Sequence, residues 1–332
     1  MERIVLVTGA TGAVGPRVVS ALMEAGCSVR TLSLDAPPTG AWPDGVDVRF
    51  GDVTDMETVQ RAMQSVDAVV HLAALVHIVN PLPELREKCE RINVGGTATV
   101  VDMAVKEGVK RVVLASTITV YGPSSGRVLD EGSEAFPDTI YGQTKLAAEK
   151  IVLNVRSADG QPLGTVLRFG AVYGAGIKGN YQRLLRALAR NRFIAVGDGS
   201  NRRSLIYDKD LARAIVLVLS RDASLGNIFN ATDCQFHTMK EILATMSLAL
   251  GRTPPRYSLP VRPVRWAAGL VEEAARLMGC QSLLVRATID KYNEDIAVSG
   301  EKICRLLGFR PQYDLASGWR ETVEDMRRTG EL

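Results

Sequence analysis

The chain contains three histidines, and its five cysteines (Cys27, Cys89, Cys234, Cys280 and Cys304) are odd in number, scattered and without a CxxC pair. That spacing argues against a zinc site and a disulfide frame, and reads as reduced thiols in a cytoplasmic protein. An excess of one charge is also missing: 40 Lys and Arg against 37 Asp and Glu leave a net charge of +3. A dedicated nucleic-acid binder needs clustered basic residues, so that class is set aside, whereas a small anion held by a few Arg is not. No apolar run reaches the roughly 20 residues that span a bilayer. Ala68–Val79 is interrupted and Ala214–Leu219 is short. Met1-Glu2-Arg3 runs straight into apolar Ile4–Val7, leaving no room for a signal peptide. Neither a fixed-period repeat nor a low-complexity tract occurs. The expectation is a soluble protein with no nucleic-acid partner, no membrane partner and no metal.

What is present is ordinary globular material. The 332 residues, 46 % hydrophobic and 23 % charged, suffice for one large domain or two unequal ones. Short apolar runs at Ile4–Val7, Ser28–Leu32, Val46–Phe50, Ala68–Leu72, Arg111–Ala115 and Gly164–Phe169 read as strands. Helical patterns at Gly15–Ala25, Met56–Gln64, Ile92–Lys106 and Ile140–Ser157 lie between them. Strands of this kind, joined by crossover helices, imply a doubly wound parallel sheet covered on both faces. After about Gly176 the rhythm changes. Helices are expected at Asn180–Arg190, Asp210–Ser220, Val264–Met278 and Ser299–Leu307, with a strand at Asn227–Asn230. This part is read as a smaller lobe on the carboxyl edge of the sheet, where ligands of such folds bind.

Thr8-Gly9-Ala10-Thr11-Gly12-Ala13-Val14-Gly15 follows the first strand and opens the first helix. Glycines let a backbone turn sharply and approach a pyrophosphate, whose charge then rests on the helix N-terminus. A glycine trio also makes plain turns, but strand–turn–helix context favours a dinucleotide. An acid ending the second strand bonds the ribose 2′-hydroxyl of NAD and repels the extra phosphate of NADP. Ser33 stands there instead, with Asp35 two residues later, so the reading leans to NAD with NADP open. Arg30 should point to the opposite side by strand alternation. Asp52-Val53 suits an adenine contact, or else Asp52 caps the helix from Met56.

Tyr141 and Lys145 stand one helical turn apart on one face. A phenol near pKa 10 is a poor base at neutral pH, and a nearby cation favours the phenolate. Such pairs are usually solvated, yet of the eight Tyr only Tyr141 has Lys four residues on, and it follows the fifth strand. Ser116-Thr117-Ile118-Thr119 leaves the carboxyl end of that strand. A hydroxyl there either holds a reacting oxygen or satisfies its own backbone.

Taken together the chain resembles the extended short-chain dehydrogenase/reductase superfamily, in particular its NAD-dependent epimerase/dehydratase branch. The resemblance rests on glycine loop 8–15, Asp52-Val53, His71-Leu72-Ala73-Ala74, Asn93-Val94-Gly95-Gly96-Thr97, Ser116-Thr117 before Val120-Tyr121-Gly122, and Tyr141 with Lys145. It continues through Leu167-Arg168, Val172-Tyr173-Gly174, Gly197-Asp198-Gly199, Arg203–Tyr207 with Asp210-Leu211-Ala212, and Leu307–Pro311, in order over nearly the whole chain.

The resemblance implies a Rossmann domain over 1–176 and a smaller C-terminal substrate-binding lobe over 177–332, with 203–232 returning in part to the sheet. It implies Thr117 polarising the reacting oxygen, Tyr141 as acid/base, and Lys145 holding the nicotinamide ribose while depressing the Tyr pKa. NAD contacts would come from Gly9, Thr11, Gly12, Ala13, Val14, Gly15, Ser33, Asp35, Asp52, Val53, Leu72, Ala73, Ala74, Asn93, Ser116, Tyr141, Lys145 and Phe169. Asn93 would be structural and close to the cofactor. A nucleotide-diphosphate sugar would meet Thr117, Thr119, Tyr141, Asn180 and Arg203, with Arg202 as the competing neighbour or both as a solvated pair. Sugar 4,6-dehydratases carry Asp-Glu directly after the catalytic Thr; Ile118 and Thr119 stand there, so dehydration is set aside. A homodimer through Ile92–Lys106 and Ile140–Ser157 is also implied.

Four functions compete. The leading expectation is a 4-epimerase of a nucleotide-diphosphate sugar, in which hydride leaves C4 and returns to the other face. A net reductase of a 4-keto sugar uses the same residues. An apolar-alcohol dehydrogenase of hydroxysteroid or flavonoid type would use Trp266, Leu270, Leu277 and Met278 as a lid, although such a stripe is ordinarily the packed face of a helix. A non-catalytic dinucleotide binder is disfavoured by the intact Thr117, Tyr141 and Lys145. His77 is either a loop residue or a substrate contact.

Overall fold

Six strands, β1 (Ile4–Thr8), β2 (Ser28–Ser33), β3 (Asp47–Phe50), β4 (Ala68–His71), β5 (Arg111–Thr117) and β6 (Gly164–Phe169), share one sheet in the computed structural model. The structure describes residues 3–76, 83–278 and 286–332. A seventh strand, Ile228–Ala231, pairs parallel with β6. The order across the sheet is Ile228–Ala231, β6, β5, β4, β1, β2, β3, and every pairing is parallel. The helices are α1 (Gly15–Glu24), α2 (Met56–Met63), α3 (Pro83–Cys89), α4 (Gly96–Lys106), α5 (Ile140–Asn154), α6 (Asn180–Ala189), α7 (Asp208–Ser220), α8 (Met239–Ala249), α9 (Val261–Leu277), α10 (Arg286–Asn293), α11 (Glu301–Leu307) and α12 (Leu315–Arg328).

Strand alternation divides the apolar side chains between two faces. Val5, Val7, Ala68 and Val70 pack with Val18 and Leu22 of α1 and with Leu211, Ile215 and Val218 of α7. Leu6, Val69, Val112 and Leu114 turn the other way, onto α2, α4 and α5. The strand order reverses between β1 and β4, which opens a crevice at their carboxyl ends. A third core gathers Tyr173, Leu185, Leu205, Tyr207, Met239, Met246, Trp319 and Met326 from after β6.

Several elements differ from the sequence expectation. The run expected as one helix from Ile92 begins as a π-helix at Glu90–Gly95 and becomes α-helical at Gly96. Helix α9 starts three residues early, at Val261, because Pro263 falls in its first turn, where no N–H is needed. Its apolar stripe faces outward: Trp266 is 69 %, Leu270 53 % and Met278 71 % exposed, while Ala268 and Ala275 are buried. Helices α3, α8, α10 and α12 were not expected. His77, Cys280 and the side chain of Leu277 lie outside the described residues.

Candidate active site

The loop after β1 is shaped by what its glycines lack. Gly9 adopts φ +68°, and a Cβ there would lie 2.6 Å from the Ala73 Cα; one at Gly15 would lie 2.0 Å from the Ala10 carbonyl oxygen. Glycine alone allows both approaches. The Thr8–Gly15 turn thereby rests against Leu72-Ala73 at the end of β4. Val14 at the N-cap of α1 offers no side-chain bond, and the first turn holds no acid. The Gly15 N–H bonds the Gly12 carbonyl at 3.1 Å and Pro16 has no N–H, so an anion here would be met by the remaining N–H groups of the turn. These features fit a dinucleotide pyrophosphate at Gly9, Thr11, Gly12, Ala13, Val14 and Gly15.

Ser33 ends β2 facing that loop, and its Oγ accepts the Thr11 N–H at 3.3 Å. Asp35 is exposed beyond it. Arg30 points to the opposite side, as alternation requires, and donates to Asp47 and to the carbonyls of Ala62 and Gln64. Asp52 accepts the Thr54 N–H at 2.9 Å, and the cap of α2 is Asp55 instead. Val53 is buried in the α2–α4 core. Leu72, Ala73, Ala74 and Phe169 are half-buried at the ends of β4 and β6.

Behind Ala73 runs a hydrogen-bond chain with a defined direction. The Thr97 hydroxyl donates to the Asn93 carbonyl at 2.6 Å, so toward His71 it accepts, from Nε2–H at 3.1 Å. His71 Nδ1 then accepts from the Thr8 hydroxyl at 2.7 Å, and Thr8 Oγ1 accepts the Ala73 N–H at 3.4 Å. Burial, helped by the Lys145 charge, pushes the His71 pKa down to about 3, so its ring is neutral. Asn93 is fully buried; its amide bonds the N–H and carbonyl of Leu75 and the Thr144 hydroxyl. Thr144 in turn donates to the Tyr141 carbonyl. Asn93 thus joins the loop after β4 to the helix that carries Tyr141.

Helix α5 begins at a Thr139 cap whose Oγ1 accepts the Gly142 N–H. A Cβ at Gly142 would lie 3.0 Å from the Thr119 carbonyl oxygen, so Tyr141 enters the helix beside Thr117–Thr119. Thr117 and Thr119 share a hydrogen bond of 3.0 Å, and both are half-buried. Burial pushes Tyr141 up to about 12. Where the resemblance implied a phenol depressed by Lys145, the protein's own interior moves it the other way. Lys145, 1 % exposed, is pushed down to about 8 by burial against the opposing pull of Glu149.

Glu149 is a residue the sequence reading passed over, although Tyr141, Lys145 and Glu149 recur every four residues on one helix face. It accepts from Arg168 through Nε and Nη2 and from the Ser116 hydroxyl, at 2.5–3.2 Å. Arg168 lies 4.6 Å from the Tyr121 ring centre, and the Tyr121 hydroxyl donates to Asn230. Burial pushes Tyr121 up to about 12. The Ser116 hydroxyl is committed to Glu149, and Ser116 pairs with Arg168 in the β5–β6 ladder.

In the C-terminal part of the chain, Asn180 is exposed at the start of α6. Arg202 is bound to Asp295 and the carbonyls of Gly126 and Arg127. Arg203, 8 % exposed, donates through Nη2 to the Lys291 and Tyr292 carbonyls, while its buried Nε has no partner.

The sequence profile of the NAD dependent epimerase/dehydratase family matches residues 5–232, more than half of the protein. The chain belongs to that family. It is therefore an NAD-dependent enzyme of the extended short-chain dehydrogenase/reductase type. A UDP-glucose 4-epimerase of Vibrio cholerae is 27 % identical over 98 % of this chain and 95 % of its own. A 3β-hydroxysteroid dehydrogenase/Δ5→4-isomerase of Mycobacterium tuberculosis is 26 % identical over 93 % of this chain and 86 % of its own. Among solved structures, MoeE5 in complex with UDP-glucuronic acid and NAD has TM-score 0.77 and 27 % identity, covering 98 % of this chain and 99 % of that one.

Proposed function

We propose that this protein epimerises C4 of a nucleotide-diphosphate sugar, with NAD held on the Thr8–Gly15 loop and residues 177–332 supplying the sugar-binding lobe. The observation that carries the substrate class is Arg203, a buried guanidinium whose Nε has no partner and which has no carboxylate within 4.0 Å among the described residues. A buried cation without a counter-ion is costly, and a diphosphate supplies the missing charge. The V. cholerae relative and the MoeE5 complexes, all similar over nearly their whole length, support the same class.

NAD held on the Thr8–Gly15 loop would supply a reversible hydride acceptor. The chain's own groups do the rest. Tyr141 takes the proton of the C4 hydroxyl and later returns it, while the Thr117 hydroxyl, oriented by Thr119, holds the same oxygen. Lys145 presents a positive charge in a buried site, which favours phenolate at Tyr141 once a ligand completes the pocket. The His71 chain is neutral and fixed in tautomer, so it holds Ala73 and Asn93 without competing for the proton.

The test is incubation with a panel of uridine, thymidine and guanosine diphosphate hexoses, with products separated as C4 epimers. Conversion without net cofactor consumption is expected, together with NAD released near stoichiometrically on denaturation. Tyr141→Phe should lower the rate about 10²–10⁴-fold. No stereochemical change in any sugar would overturn the reading. Net NAD(P)H consumption with a keto sugar would move it to reduction. A second reading, dehydrogenation of an apolar alcohol, draws on the exposed Trp266, Leu270 and Met278 and on the steroid-enzyme relative. Turnover of a hydroxysteroid by a protein that ignores uridine diphosphate would favour it.

A further inference from the structure

We propose that Cys234 and Cys304 form a reactive dithiol that closes to an intramolecular disulfide on meeting a peroxide or a small-molecule disulfide. The two residues are 70 positions apart, yet their Sγ atoms lie 2.7 Å from each other. That is about 0.7 Å more than a formed disulfide spans. The contact joins the turn after the Ile228–Ala231 strand to helix α11.

The position is built. Cys234 adopts φ +60°, a region most side chains avoid. Its N–H is held by Thr232 Oγ1 at 3.1 Å, and its thiol is aimed between the carbonyls of Thr232 and Gly300. A Cβ at Gly300 would lie 2.4 Å from Thr232 Oγ1 and 3.3 Å from the Cys234 Sγ, so glycine there leaves the sulfur its room. Cys234 is exposed and Cys304 half-buried, which gives a small oxidant access. Of the other described cysteines, Cys89 is buried and Cys27 half-buried.

The surroundings assign roles. Hydrogen bonding from Cys234 and the nearby Arg310 charge lower the Cys304 pKa. Cys234 is raised by its bond to Cys304, by burial and by Asp233 and Asp210. Cys304 is the attacking thiolate and Cys234 the resolving thiol. With hydrogen peroxide, the Cys304 sulfur breaks the O–O bond and becomes a sulfenic acid, releasing hydroxide that leaves as water. Cys234 then displaces the sulfenic oxygen as a second water, forming the S–S bond. The two thiols have lost two protons and two electrons, and the peroxide has become two waters. With a small disulfide, Cys304 releases one thiol, and Cys234 releases the second.

The reaction is independent of the sugar reading, and its readout is a mass. The folded protein is treated with peroxide or oxidised glutathione, then unfolded and alkylated with N-ethylmaleimide. Untreated protein should take up five maleimides, one for each cysteine. Treated protein should take up three, be two hydrogens lighter before alkylation, and yield a peptide pair linking residues 234 and 304. Dithiothreitol should restore five. C304S should abolish the link, and C234S should trap glutathione on Cys304. Five maleimides after treatment, or a link through Cys27, Cys89 or Cys280, would overturn the proposal.

Discussion

Keeping an ammonium charged in a protein interior costs free energy, and Lys145 is such a group. Its pKa falls from 10.5 to about 8, a penalty on the order of 3 kcal/mol. Below pH 8 folded and unfolded chains both carry the proton, so the penalty is complete. Between pH 8 and 10.5 the folded chain loses it first, and stability contributed by this group rises. Lys145→Met should therefore stabilise the cofactor-free protein by ~1–3 kcal/mol at pH 7 and flatten that alkaline rise, while abolishing turnover. Urea denaturation between pH 7 and 10 measures it; an unchanged or destabilised variant would contradict the burial argument. Tyr141 and Lys145 were legible as a pair because helical spacing is written in the chain. Glu149, His71 and Thr97 were not assigned roles, because their roles come from contacts with Arg168, Thr8 and Asn93 that only packing creates.

At the scale of elements, the glycine loop was readable because its geometry forbids side chains. Gly15→Ala would place a methyl 2.0 Å from backbone oxygen, with no flexible atom to yield. The expected result is a loss of ~3 kcal/mol or a displaced α1 start. Either should weaken NAD binding at least tenfold, read by fluorescence titration; tighter or equal binding would contradict the assigned loop. The π-helix at Glu90–Gly95 had no sequence signal. One extra residue in the turn places Asn93 where it reaches both Leu75 and Thr144. Helix α12 did have a signal, the Asp314–Ser317 capping box, which the sequence reading passed over. Pro263 misled in the opposite sense, since a proline in the first turn starts a helix as readily as it ends one.

Across the whole molecule, helix α1, which follows the glycine loop, is tied to the far end of the chain. Arg17 of α1 reaches Asp208 at the start of α7 and Asp325 of α12. Trp319 of α12 is 1 % exposed and stacks on Tyr173 at 4.4 Å, which in turn lies 5.4 Å from Tyr207. Trp319→Ala should cost ~3–5 kcal/mol in denaturant unfolding. A loss under about 1 kcal/mol would mean that α12 is not part of the core.

The sequence by itself determined the sheet, the glycine turn, and the Tyr141–Lys145 spacing, because each follows from local periodicity or from the absence of a side chain. Only the tertiary structure decided that Arg203, not Arg202, keeps a buried N–H without a partner, and that the stripe on α9 faces outward. It also decided that Cys234 meets Cys304. Those outcomes depend on which groups segments far apart in the chain bring together, and no local rule encodes that.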